Sequence, residues 1–222
     1  MHPSLDRSEL TDALAALASA QTHDQALVEL AIAADATGEP VPHPAAATFV
    51  AWALRAVGAT RVVELGAGAA GLSWWLAGAV GAEGDLHVVT GDTSEGILVD
   101  RLRRAGRFGQ VTVHTTDAAD AGASPDHLTA VDGDLDAIVV REVTPRLADA
   151  WDALVARVRP GGVIVVGEVL VEGPPAGRTG AVVREALEDP DLWTSVVPLG
   201  GGWLVALKAR SDLAGASTDR LW

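Results

Sequence analysis

From Arg61 onward the chain alternates between short Val-rich runs and stretches whose apolar residues recur every three or four positions. The runs at 61–65, 86–90, 110–115, 135–140, 162–169, 194–198 and 202–208 predict strands. Helical spacing falls between most of them, near 71–81, 95–106, 125–131, 147–158 and 179–188. Such alternation implies a mainly parallel sheet with helices on both faces. The last two runs are joined only by Leu199-Gly200-Gly201. A link that short forces an antiparallel pair, because parallel neighbours need a crossover. Upstream, Leu10, Leu14, Leu17, Ala26, Leu27, Leu30 and Ala31 predict helix across residues 6–38. The Pro- and Gly-rich stretch 38–44 breaks that pattern. A further helix is expected over 45–57, with Phe49, Leu54 and Val57 on one side and Gly58 as terminator.

The whole is expected to be a single domain over 1–222, with N-terminal helices over 1–58, a core of alternating strands and helices over 59–209 and a tail over 210–222. The chain has 222 residues, 49% of them hydrophobic, ample for one packed core. No run approaches the ~18 apolar residues of a membrane span, and the N-terminus lacks the layout of a secretory signal. Cys is absent, which excludes disulfides, zinc–thiolate sites and a cysteine nucleophile. These features fit a cytoplasmic protein. A formal charge of -14 repels phosphate backbones and argues against nucleic acid as a partner. Arg101, Arg103 and Arg104 form a local basic cluster, expected to be solvated.

The chemistry concentrates at Glu64-Leu65-Gly66-Ala67-Gly68-Ala69-Ala70-Gly71. A strand ends in an acidic residue, a glycine-dense turn follows, and a helix begins. Glycines let backbone approach a ligand closely, and a helix start offers unpaired N–H groups. Gly66, Gly68 and Gly71 also satisfy the G-x-G-x-x-G pattern of dinucleotide sites. The loop alone therefore points to an adenosyl cofactor without saying which.

Glu64-x-Gly66-x-Gly68 resembles the first motif of class I S-adenosylmethionine-dependent methyltransferases. The Arg159-Pro160-Gly161-Gly162 turn before a Val-rich run, the run Leu135–Val140, the acidic turn Thr116-Asp117-Ala118 and the terminal hairpin resemble further parts of that family. The resemblance covers roughly residues 25–208 and is closest to bacterial O-methyltransferases of the catechol and caffeoyl-coenzyme A type. It implies an α/β fold: a seven-stranded Rossmann-like sheet with its last strand antiparallel and helices before it. It implies S-adenosylmethionine as cofactor, a small-molecule acceptor with an oxygen nucleophile, and a homodimer. A nicotinamide-dependent enzyme also fits the loop, but the terminal hairpin argues against it.

By the same resemblance, Glu64 meets the methionine amino group, Gly66, Ala67, Gly68 and Gly71 line the cofactor, and Asp117 and Ala118 lie beside adenine. Thr90 stands where relatives place a ribose-binding carboxylate, and Asp92 follows two residues later. Relatives of the catechol type hold a divalent cation with an Asp after the fourth strand and an Asp-Asn pair after the fifth. Here Arg141 takes the first position, and Gly167 and Glu168 take the pair. A guanidinium is incompatible with an ordinary Mg²⁺ site, so no metal is expected unless Glu142 and Glu168 supply two carboxylates. Arg141 is expected to provide the positive charge itself and to pair with Glu168 or Glu142, either of which is a candidate base. The missing carboxylates also admit a catalytically silent binding protein. His43, His87 and His114 are expected to be surface or satisfied core residues. Trp74 and Trp75 are expected to pack a helix on the sheet, and Trp151, Trp193 and Trp203 to be core or dimer contacts.

Overall fold

A computed structural model describes residues 42–68, 71–91, 94–117, 128, 131–141, 143–144, 146–170 and 176–210. The helices expected over 6–38 and 125–131 lie essentially outside these residues, as do Asp92, Ala118 and Glu142. Within them the chain runs α1 (Pro44–Ala56), β1 (Arg61–Ala67), α2 (Gly71–Val80), β2 (Asp85–Gly91), α3 (Glu95–Arg104), a 3-10 turn (Phe108–Gln110), β3 (Val111–Thr116), β4 (Leu135–Val140), α4 (Leu147–Arg157), β5 (Val158–Gly167), α5 (Ala176–Glu188), β6 (Leu192–Val197) and β7 (Trp203–Lys208).

The seven strands form one sheet in the order β3-β2-β1-β4-β5-β7-β6. The first five are parallel, and β7 is antiparallel to both β5 and β6. The antiparallel end expected from the three-residue link is therefore present. Strand order reverses direction between β1 and β4, and the helices that follow these two neighbouring strands, α2 and α4, lie on opposite faces of the sheet. In open α/β sheets such a switch point creates the ligand crevice.

The alternation of side chains along the central strands sorts the core into two layers. Val62, Leu86, Val88, Ala137, Val139, Val163 and Val165 pack with α1, α2 and α3 on one face. Val63, Leu65, Val89, Ile138, Val140, Ile164 and Val166 pack with α4 and α5 on the other. Both faces are apolar because both are covered, which is why these strands read as unbroken Val-rich runs. Trp151 on α4 anchors the second layer, and Trp203 on β7 packs in the first.

At the amino ends of the strands, Asp136 ties three segments together. Its carboxylate accepts from Thr60 N (2.8 Å), Thr60 Oγ1 (3.0 Å) and Arg61 N (2.8 Å), and it pairs with the Arg159 guanidinium. Burial alone would raise its pKa, but these donors outweigh burial and hold the carboxyl at about 2. Arg159 thus serves this structural knot. The Arg-Pro-Gly-Gly segment is itself the start of β5, with Gly161 in the left-handed region at φ 79°.

One side-chain expectation needs correction and one is narrowed. Arg101 is buried, because it shares the inward face of α3 with Leu98 and Leu102 at helical spacing. Arg103 lies over the Phe108 ring, and Arg104 pairs with Asp100. Of the core or dimer contact expected for Trp193, the core alternative falls away: it lies on the edge strand β6 and is 53% exposed. His87 and His114 do form a satisfied pair: His87 Nδ1 meets His114 Nε2 at 2.9 Å and His87 Nε2 meets Asp85 at 2.8 Å. No helix among the described residues is long and apolar enough to cross a membrane.

Candidate active site at the carboxyl edge of the central strands

The loop after β1 is shaped by one glycine. Gly66 has φ 78°, the left-handed region where a Cβ is costly. The pairing with β2 shifts register at this point: Leu65 faces Val89, but Ala67 faces Thr90. Gly66 is therefore the extra residue of a bulge, which turns the chain away from the sheet before α2 begins. Thr90 closes the bulge. Its buried hydroxyl donates to the Ala67 carbonyl at 2.6 Å. An ionised carboxylate at this position could not make that bond, so Thr90 fixes the loop through a donor that an acid would lack. This role is invisible to the sequence pattern, which marks only a missing acid.

Glu64 points into the layer below the loop and is 1% exposed. Ser73, in the first turn of α2, donates to its carboxyl, and the Arg141 guanidinium lies close enough to interact with it. The second oxygen, Oε2, is buried with no hydrogen-bond partner among the described residues. Burial dominates these effects and pushes the carboxyl from 4.5 up to about 7. A buried acceptor without a donor is costly, and an ammonium group is the kind of donor that would satisfy it.

Arg141 follows β4 directly. Its backbone N–H donates to Leu65 O at 3.1 Å, which extends the β1–β4 ladder by one step. Its side chain reaches across to the glycine loop. A Cβ added at Gly68 would overlap the guanidinium, whose Cζ lies 3.3 Å from that point. Gly68 thus makes room for Arg141, a function the motif spacing does not reveal. Gly71 is the first residue of α2.

The carboxyl end of β5 completes the edge. Gly167 is buried, and a side chain there would collide with the Arg141 carbonyl and with the Trp203 ring, 2.9 Å away. Glu168 is exposed and has φ 59°, the one non-glycine among the described residues in the left-handed region. The turn is held open by bonds from Val169 N and Leu170 N to Gly202 O and Gly201 O in the β6–β7 link. Asp117 is exposed just after β3. His43 lies at the same end of the sheet: its Cβ is 3.4 Å from a Cβ placed on Gly200, and its Nδ1 caps α1 by accepting from Ala45 N at 3.3 Å.

The edge therefore brings together Glu64, Gly66, Ala67, Gly68, Thr90 and Arg141, with Gly167 and Glu168 beside them. The donor set suits an organic cation at Glu64. It does not suit a divalent metal, since a guanidinium and a glycine occupy two of the ligand positions that the resemblance implies. Among the described residues no three His, Asp or Glu side chains could hold a metal ion together. A separate cavity of about 260 Å³, lined by Arg159, Trp193, Lys208 and Arg210, opens at the opposite end of the sheet. It shares no residue with the edge just described.

No protein-family model matches the chain, and no curated protein does. Its shape matches solved structures closely. The O-methyltransferase TomG from Streptomyces achromogenes, involved in tomaymycin synthesis and solved with S-adenosylmethionine, superposes with a TM-score of 0.70 at 24% identity, over 85% of this chain and 91% of that one. An O-methyltransferase from Bacillus cereus, in complex with S-adenosylhomocysteine, gives 0.69 at 20% identity, over 84% and 92%. A methyltransferase from Geobacter sulfurreducens gives 0.69 at 17% identity, over 84% and 90%. With the strand order and the antiparallel β7, these likenesses show that the chain has the class I methyltransferase fold.

Proposed function

We propose that the chain transfers a methyl group from S-adenosylmethionine to an oxygen nucleophile on a small molecule, without a divalent metal. The observation that carries this reading is the unpartnered Oε2 of Glu64 beneath a bulged glycine loop, at the point where strand order reverses. Glu64 would accept from the methionine ammonium, and the loop at Gly66–Gly71 would pack against the cofactor. Asp92 is proposed for the ribose hydroxyls, and Asp117 and Ala118 for the adenine side. When bound, the cofactor supplies an electrophilic methyl group on sulfur. The chain's part is to align an acceptor with it, and such positioning can provide much of the rate. Arg141 supplies the positive charge on the acceptor side in place of a metal; Glu142 or Glu168 is the proposed base for an acceptor that must lose a proton, and an acceptor already ionised needs none. The proposed setting is cytoplasmic, with one domain over 1–222 acting as a homodimer.

Thr90 favours a second reading. Its hydroxyl is committed to Ala67, so the end of β2 offers the ribose no carboxylate at that position. Loss of a charged contact can cost about 1.5–3 kcal/mol. A catalytically silent binding protein would follow if Asp92 does not compensate. Incubation with labelled S-adenosylmethionine and mixed small-molecule acceptors, with and without chelator, separates the readings. Chelator-insensitive transfer supports the enzyme, whereas cofactor binding with no transfer supports the silent protein.

A further inference from the structure

We infer that the acceptor is a carboxylate, held by Arg141 and converted to its methyl ester. This assignment rests on the methyl-transfer reading above and deepens it. Three observations carry it. Arg141 leaves β4 at the switch point, and its guanidinium reaches Gly68 in the glycine loop. Gly68 gives up a side chain at the position the guanidinium fills, so loop and cation are fitted to one another. The described carboxylates at this edge are poorly placed as bases for a hydroxyl acceptor: Glu64 is buried beneath the loop, and Glu168 is exposed on a strained turn.

A hydroxyl acceptor must lose its proton, and metals or bases exist in such sites to remove it. A carboxylate arrives already ionised at neutral pH. A guanidinium offers five N–H donors in a planar fork matched to carboxylate geometry. One carboxylate oxygen accepts from Arg141 while the other attacks the methyl carbon. The new O–CH₃ bond forms as the S–CH₃ bond breaks, and the sulfur keeps the bonding pair and becomes a neutral thioether. No proton moves, so the step needs neither base nor metal.

The test uses the full chain saturated with S-adenosylhomocysteine, titrated calorimetrically with benzoate, phenylacetate and hexanoate, and with benzyl alcohol and catechol as neutral controls. At least one carboxylate is expected to bind, and the neutral controls are not. Arg141→Gln is expected to weaken that carboxylate by roughly 10- to 100-fold and to weaken S-adenosylhomocysteine by a clearly smaller factor. Arg141→Lys should recover part of the loss. With S-adenosylmethionine, the bound carboxylate should yield a base-labile methyl ester in the presence of chelator. Binding of S-adenosylhomocysteine with no carboxylate bound would overturn the acceptor assignment alone. So would a variant that loses both ligands equally, or metal-dependent methylation of catechol. Failure to bind S-adenosylhomocysteine at all would overturn this inference together with the reading beneath it.

Discussion

Glu64 sets the pH behaviour of the site. Its folded pKa of about 7 lies above the ordinary 4.5, so the protonated form is favoured by folding. Its contribution to stability is fully present below about pH 4.5 and is lost as pH rises through about 7, for a total of about 3 kcal/mol. Denaturant unfolding of the ligand-free protein at about pH 5 and pH 8 should therefore show a drop that Glu64→Gln largely removes. An ammonium ligand reverses the preference, so cofactor binding near pH 7 should expel a proton. Titrations with S-adenosylhomocysteine in buffers of different ionisation enthalpy should give different apparent heats, and equal heats would count against the contact. Asp136 works in the opposite sense at the far end of the sheet. Held at about 2 against an ordinary 3.8, it adds stability above pH 3.8 that is lost as pH falls through about 2. Asp136→Ala should cost about 2 kcal/mol at neutral pH, measurable by urea titration.

At the scale of elements, the β1–loop–α2 unit depends on contacts that the local pattern only partly discloses. The glycine spacing marked the loop, and the Val-rich runs marked the strands, because both are local consequences of backbone sterics and burial. The bond from Thr90 to Ala67 and the packing of Arg141 on Gly68 join distant parts of the chain, so spacing could not reveal them. Arg101 was legible in principle, since it follows Leu98 by three residues on α3, but charge clusters are ordinarily solvated. Trp193 could not be placed without knowing that β6 is the edge strand. The same contacts predict mutational effects. Thr90→Val keeps the shape but leaves the buried Ala67 carbonyl without its donor, and should cost about 1–3 kcal/mol in unfolding free energy. Gly68→Ala should displace the Arg141 guanidinium and impair methyl transfer more than stability, a split visible by comparing turnover with thermal melting.

Across the whole molecule, two core layers hold one sheet whose opposite ends have different characters. The amino end is tied by Asp136 and Arg159 and is built for stability. The carboxyl end gathers a buried acid whose pKa is raised, a left-handed turn and a guanidinium, where the proposed ligand would sit. Trp151→Ala in the second layer should lower stability by about 3–5 kcal/mol, while any folded fraction keeps the carboxyl edge intact. Calorimetric titration of the full chain with S-adenosylhomocysteine at neutral pH, beside Glu64→Gln, tests the contact between Glu64 and the cofactor most directly. Saturable binding that weakens at least about ten-fold in the variant is the predicted result. No binding at about 1 mM ligand, or equal affinity for both proteins, would contradict it.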